Sequence, residues 1–154
     1  MNKFKIEFGQ FMQAFCADSD YTPCPQSAYL HLKTGGMVFV FNNDDHARIN
    51  DVSDNAETRD MVAREKESYL EIPAHSHAEH HDILQEFLVS GWTSNKDLKG
   101  NAEAQYHFVG KSIGRWKKAV SQDVYEEFKR FSEERMERDA EAFLRANGVD
   151  PIWH

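Results

Sequence analysis

The chain has 154 residues, 40% of them apolar, with 11 Phe, 5 Tyr and 3 Trp, enough to bury one sizeable core, so a single domain over 1–154 is expected. No stretch approaches the length of a membrane span, and Met1-Asn-Lys-Phe-Lys-Ile-Glu lacks the apolar core of a signal peptide, so neither a membrane protein nor an exported one is expected. Cys16 and Cys24 are too few for a disulfide framework and match no zinc knuckle or redox pair, which makes a reducing cytoplasm the expected location.

Phe4, Phe8, Phe11, Met12 and Phe15 recur at helical spacing, so one N-terminal helix with a core-facing Phe stripe is predicted, stopped by Thr22-Pro-Cys-Pro25. Two strand-like runs follow, Ser27–Lys33 and Met37–Phe41. Thr34-Gly35-Gly36 between them supplies the positive φ of a hairpin turn. Ala28, Leu30 and Leu32 form the apolar side, which leaves His31 on the polar, exposed side. Asn42-Asn-Asp-Asp45 reads as a loop. Asp51 and Asp54 nearby lack the glycine-centred loop and terminal Glu that calcium needs. Asp54 followed by Glu57 marks instead a helix start, running to about Lys66.

Tyr69-Leu-Glu-Ile72 is a short strand ended by Pro73. A helix is predicted over 77–90, closed by Gly91, then a polar loop over 93–101. Ala102–Val109 and Ile113–Val120 read as short helices around Gly110. Ser121 caps a long amphipathic helix to Ala146, with Tyr125, Phe128, Met136, Ala140 and Phe143 on one side and Phe131 at its margin. Asn147-Gly148 ends it, and Pro151 forbids its continuation.

Charge is informative once it is located. Residues 44–86 hold Arg48, Arg59, Arg64 and Lys66 against twelve carboxylates, so this one segment carries the whole net charge of −8. Such a region repels a phosphate backbone and attracts a basic surface, although a solvated helix face rich in Asp and Glu has the same composition. The candidate partner-binding carboxylates are Asp44, Asp45, Asp51, Asp54, Glu57, Asp60, Glu65 and Glu67.

Four of the eight histidines crowd into His75-Ser-His77-Ala-Glu79-His80-His81. Two readings compete. His75, His77, Glu79 and His80, with His81 beside them, resemble the His-x-His-x-acid-His motif of the metallo-β-lactamase superfamily, in which paired metals activate a hydroxide. That motif has Asp in place of Glu79 and helix-opening glycines in place of His81-Asp-Ile-Leu84, and only His107 and His154 remain downstream as ligands. Alternatively, Ser76 and Glu79 form a Ser-x-x-Glu capping box ahead of an apolar helix face made by Ile83, Leu84, Phe87 and Leu88, with His80 at its start. The capping box accounts for more of the residues at once. It leaves His77 and His81 one helical turn apart, a pair that chelates nickel or zinc adventitiously.

Lys111, Arg115, Lys117 and Lys118 with Trp116 form the one basic-aromatic patch, a candidate for phosphate or nucleic acid; the alternative is a buried Trp116 with bases that pair to the acidic segment. Gly110-Lys-Ser-Ile-Gly114 lacks the order of a phosphate loop. Nothing places a Ser or Cys nucleophile beside a base.

The Tyr29-Leu-His-Leu-Lys-Thr-Gly-Gly-Met-Val-Phe-Val hairpin, the Tyr69-Leu-Glu-Ile-Pro73 step, the Ile83–Ser90 helix and Gly114-Arg-Trp-Lys117 before a long charged helix occur in that order. Together they resemble a bacterial group known as uncharacterised protein family zero-one-five-eight, over most of residues 25–148, with Ile113-Gly114 standing at the places of an aromatic and an Arg. The resemblance implies an α+β fold, no established activity and no catalytic residues to carry over.

The expected fold is therefore α+β, a small antiparallel sheet packed with several helices and a long C-terminal amphipathic helix. The expected function is that of a non-enzymatic, cytoplasmic, acidic binding or regulatory protein without a cofactor. Its partner would be another protein, in the sharper form a nucleic-acid-processing one inhibited through its basic groove. The alternatives are a zinc- or manganese-dependent hydrolase at the histidine cluster and a phosphate or nucleic-acid binder at the basic patch.

Overall fold

The N-terminal phenylalanines divide between two elements. Strand β1 takes Asn2–Ile6, and helix α1 runs Phe8–Phe15. Phe4 thus belongs to a strand, against the expectation of one continuous helix, while Phe11 and Phe15 are buried on α1 as their spacing requires. The cause lies at the far end of the sequence. Strand β5, Val149–Trp153, runs parallel to β1 with Asn2 opposite Val149 and Ile6 opposite Trp153. Asn2 N–H donates to Gly148 O and Phe8 N–H to His154 O, each at 3.0 Å, so the pairing extends past both ends of β5. Pro151 argues locally against a strand, but both members of a two-stranded sheet are edges, where a missing donor is tolerated. The structure, a computed structural model, describes residues 2–15, 26–49, 52–74 and 77–154; Cys16, Cys24 and the expected stop at Thr22–Pro25 lie outside that set.

The hairpin forms where the alternation places it. β2, Gln26–His31, pairs antiparallel with β3, Met37–Phe41, Leu30 opposite Met37. β4, Tyr69–Ile72, pairs with the other side of β2, which gives the order β3-β2-β4. Ala28 and Leu30 are buried, as the period-two pattern requires. Gly35 sits at φ +76°, and a Cβ there would lie 2.3 Å from Lys5 O, so the turn needs glycine both for its backbone and for its approach to β1. His31 is half-buried and does more than face water. Its Nδ1 accepts the N–H groups of Lys33 and Thr34 at 3.2 Å each, and its ring meets Tyr69 edge-on at 4.9 Å between centroids.

The expected loop over 42–45 ends early. Helix α2 takes Asp44–Ile49, and Asn43 Oδ1 accepts Asp45 N–H at 2.8 Å. Helix α3, Asn55–Arg64, starts where Asp54 predicts, but the Asp54 carboxylate makes no capping bond. Thr58 instead donates its hydroxyl to Asp54 O at 2.9 Å. A short 3-10 turn, Lys66–Ser68, leads into β4.

The helical half begins with α4, His77–Val89. Helix α5 runs Lys96–Phe108, starting six residues earlier than expected, because Asn95 Oδ1 accepts Leu98 N–H at 3.0 Å and caps a segment whose polarity reads as loop. Helix α6, Ile113–Ala119, is capped by Ser112, and α7, Gln122–Ala146, by Ser121, whose Oγ accepts Val124 N–H at 3.4 Å. Gly148, at φ +79°, closes α7 with its N–H on Arg145 O at 3.0 Å.

The residues group into two compact units, Met1–Ser76 with Asp139–His154, and His77–Arg138. The first is centred on Ile6, Phe11, Leu30, Ile72, Leu144 and Val149. The second is centred on Leu84, Phe87, Trp116 and Phe128, with the Phe87 and Phe128 rings 5.4 Å apart and Trp116 and Phe128 at 5.3 Å. On α7 the buried positions are Val124, Phe128 and Met136, then Ala140 and Leu144; Tyr125 and Phe143 flank that line half-buried, slightly off the stripe read from the sequence. The fold is α+β: a three-stranded antiparallel sheet, a two-stranded parallel one and, among the described residues, seven helices, the longest near the C-terminus. No described helix is long and apolar enough to cross a membrane.

Candidate functional site

One buried amide organises the acidic segment. Asn55, 2% exposed, accepts Phe41 N–H on Oδ1 at 2.7 Å and donates from Nδ2 to Phe41 O at 3.0 Å. β3 is an outer strand of its sheet, so the Asn55 side chain stands in for the peptide group of a missing neighbour and covers that edge. The same Nδ2 donates to Asp44 Oδ1 at 2.7 Å, while Arg59 reaches the two Asp44 oxygens at 3.2 and 3.4 Å. These donors, the Asn55 amide first and Arg59 second, hold the Asp44 carboxyl below the ordinary aspartate range. Sequence reading misses Asn55 because Asp54, one residue earlier, takes the role of helix cap.

The candidate carboxylates therefore fall into two groups. Asp44 is engaged by Asn55 and Arg59, and Asp45 pairs with Arg48. Asp54, Glu57, Asp60, Glu65 and Glu67 are exposed, and Glu57 and Asp60 share the outer face of α3 while Asn55 and Val62 face inward. Asp51 lies outside the described residues.

The histidine cluster is only partly described: His75, Ser76 and the side chain of His77 lie outside the described set, and the expected Ser76 cap with them. Ile83, Leu84, Phe87 and Leu88 are buried along α4, with His80 half-buried at the start of that face and Glu79 exposed. His81 Nδ1 lies 2.6 Å from the hydroxyl of Tyr106, a residue of α5 that is itself buried. Among the described residues, no three His, Cys, Asp or Glu side chains group as metal ligands.

The basic-aromatic patch loses its aromatic member to the core. Trp116 is fully buried, donates Nε1–H to Ala102 O at 2.9 Å and packs against Phe87 and Phe128, so it offers no outward stacking face. Lys111, Arg115, Lys117 and Lys118 are exposed, and Lys117 Nζ sits 5.9 Å from the centre of the Phe128 ring.

Each unit also has an open hollow that sequence reading did not identify. In the first, Lys33, Arg64 and Lys66 share a space of about 510 Å³ with His31, Glu65, Glu67 and Ser68. In the second, Trp92, Leu98, Asp123, Glu126 and Arg130 line about 390 Å³. The indole N–H of Trp92, whose ring stacks on Phe87 at 4.9 Å, is buried there without a hydrogen-bond partner among the described residues. No family model, curated protein or solved structure matches this chain.

Proposed function

We propose that this chain is a non-enzymatic binding protein that meets a basic macromolecular surface with the acidic outer face of α3 and the segment around it. In its sharper form, the partner is a protein whose basic groove handles nucleic acid, and the carboxylates occupy the places of phosphates. The observation that carries the reading is the concentration of the whole net charge of −8 in residues 44–86, where Asp54, Glu57 and Asp60 are exposed. A rigid support matters as much as the charge, because an ordered carboxylate loses less freedom on docking than a mobile one. Asn55 supplies that support by tying the start of α3 to β3 and to Asp44. Electrostatic complementarity of this kind steers encounter and excludes like-charged competitors. Membership of family zero-one-five-eight belongs to the same proposal, on the motifs already quoted, and adds no activity to it.

Capture from native lysate, followed by affinity measurement against added salt, tests the reading. Affinity for the captured partner is expected to fall about tenfold or more between roughly 50 and 200 mM salt, as phosphate-like contacts do. Asp54→Asn with Glu57→Gln and Asp60→Asn should lose capture while the melting curve stays in place. Salt-independent affinity, or capture by the triply neutralised variant, overturns the reading.

A further inference from the structure

The hollow beside the hairpin turn has a chemistry opposite to that of its surroundings. It lies in the unit that carries most of the negative charge, yet Lys33, Arg64 and Lys66 converge on it, and only Glu65 and Glu67 oppose them. Elsewhere in that unit Arg48 is matched to Asp45, Arg59 to Asp44 and Arg145 to Glu141, whereas Lys3 and Lys5 on β1 have no such pairing among the described residues. Around the hollow, none of the three cations has a carboxylate within ion-pair distance among the described residues. Three cations against two carboxylates leave the hollow with an excess of positive charge, and an anion between the cations removes their mutual repulsion.

His31 adds an imidazole held in place by the turn. Two backbone N–H groups, those of Lys33 and Thr34, point at its Nδ1 at 3.2 Å each. A nitrogen that accepts two hydrogen bonds keeps its lone pair, so in the neutral ring the proton resides on Nε2. The turn thereby orients the imidazole, which lines the hollow and has Nε2–H as its remaining donor. Ser68, at the end of the 3-10 turn, brings a hydroxyl to the same wall.

We propose that this hollow binds a phosphate group, with Lys33, Arg64 and Lys66 on its charged oxygens and His31 Nε2–H and the Ser68 hydroxyl as further donors. The space of about 510 Å³ exceeds what one phosphate fills, which leaves room for a small organic substituent. Glu65 and Glu67 are acceptors for hydroxyls on that substituent, so the ligand class is inorganic phosphate or the phosphate monoester of a small polyol. This site shares Glu65 and Glu67 with the acidic segment, but its test does not involve Asp54, Glu57 or Asp60.

The test titrates the full chain with inorganic phosphate and, separately, with glycerol phosphate, against sodium chloride at equal ionic strength, and follows backbone amides by NMR. Saturable shifts confined to residues 31–36 and 64–68 are expected with phosphate and absent with chloride. The arm that binds more tightly names the source of the phosphate. Arg64→Gln with Lys66→Gln, both exposed positions, should weaken binding about tenfold or more, as the loss of two charge-assisted contacts requires. Lys117→Gln with Lys118→Gln should leave it unchanged. Equal shifts with chloride, shifts centred on Lys117 and Lys118, or a smaller loss in the Arg64 and Lys66 variant each overturn the proposal.

Discussion

The two units use their distinctive residues in opposite ways. The first carries eight Lys and Arg against fifteen Asp and Glu, the second ten against eleven, so nearly all of the net charge belongs to the first. The second holds most of the residues that look like chemistry, the histidine cluster from His77 onward and the basic-aromatic patch. There, Trp116 is consumed by the core and His81 is bonded to a buried Tyr106. In the first unit the carboxylates of α2 and α3 are set on a framework fixed by Asn55, and the same unit holds a hollow lined by three cations and two carboxylates.

The largest expected effect tests whether Trp116 is core. Trp116→Ala removes a fully buried indole and its bond to Ala102 O, and should cost about 4 kcal/mol in urea unfolding, the usual range for a large aromatic deleted from a core. Lys117→Gln with Lys118→Gln should move stability by less than about 0.5 kcal/mol, as exposed sites do. A cost for Trp116→Ala below about 1 kcal/mol would return the indole to the surface and revive the basic-aromatic patch as a site.

The next effect belongs to the first unit. Asn55→Ala deletes bonds to Phe41 N–H, Phe41 O and Asp44 at once and should cost about 2–3 kcal/mol, most of it from peptide groups left without partners. Amide exchange at Phe41 should accelerate more than at neighbouring strand positions. Glu57→Gln, two residues on and exposed, should cost less than about 0.5 kcal/mol. Equal costs for the two would mean that Asn55 is not the support on which the acidic face depends.

Local signals carried much of the fold. The β2–β3 hairpin, β4 and the ends of α7 are set by alternation, a glycine turn and caps within a few residues, and all lie where the sequence places them. What escaped depends on partners far along the chain. β1 and β5 are strands because they pair with each other, and neither five-residue run indicates the other. The first turns of α5 escaped for a smaller reason: Asn95 is as common in loops as at caps, and only its bond to Leu98 N–H decides which it is. The candidate site was legible as charge but not as geometry. Counting Asp and Glu locates the acidic segment, yet nothing in the order of residues pairs Asn55 with Phe41 or gathers Lys33 with Arg64 and Lys66.

The smallest effect is the most discriminating, because it asks what holds Asp44. Its folded pKa is depressed, so the stabilisation from its ionised form is complete above the unfolded value of roughly 4 and is lost as pH falls through the lower folded value. The stability difference between the wild type and Asp44→Asn should therefore be constant near neutrality and shrink only in acid. The side-chain hydrogen bond from Asn55 is the larger cause and the bond from Arg59 the second. A carboxyl titration followed by NMR should accordingly show the Asp44 pKa rising in Asn55→Ala and also in Arg59→Gln, which removes both a hydrogen bond and a charge. No rise in Asn55→Ala would make Asp44 an ordinary surface ion pair, governed by a mobile guanidinium that salt screens. In that case the acidic face of the first unit would have no rigid anchor, and the contrast between a quiet second unit and an organised first one would reduce to charge alone.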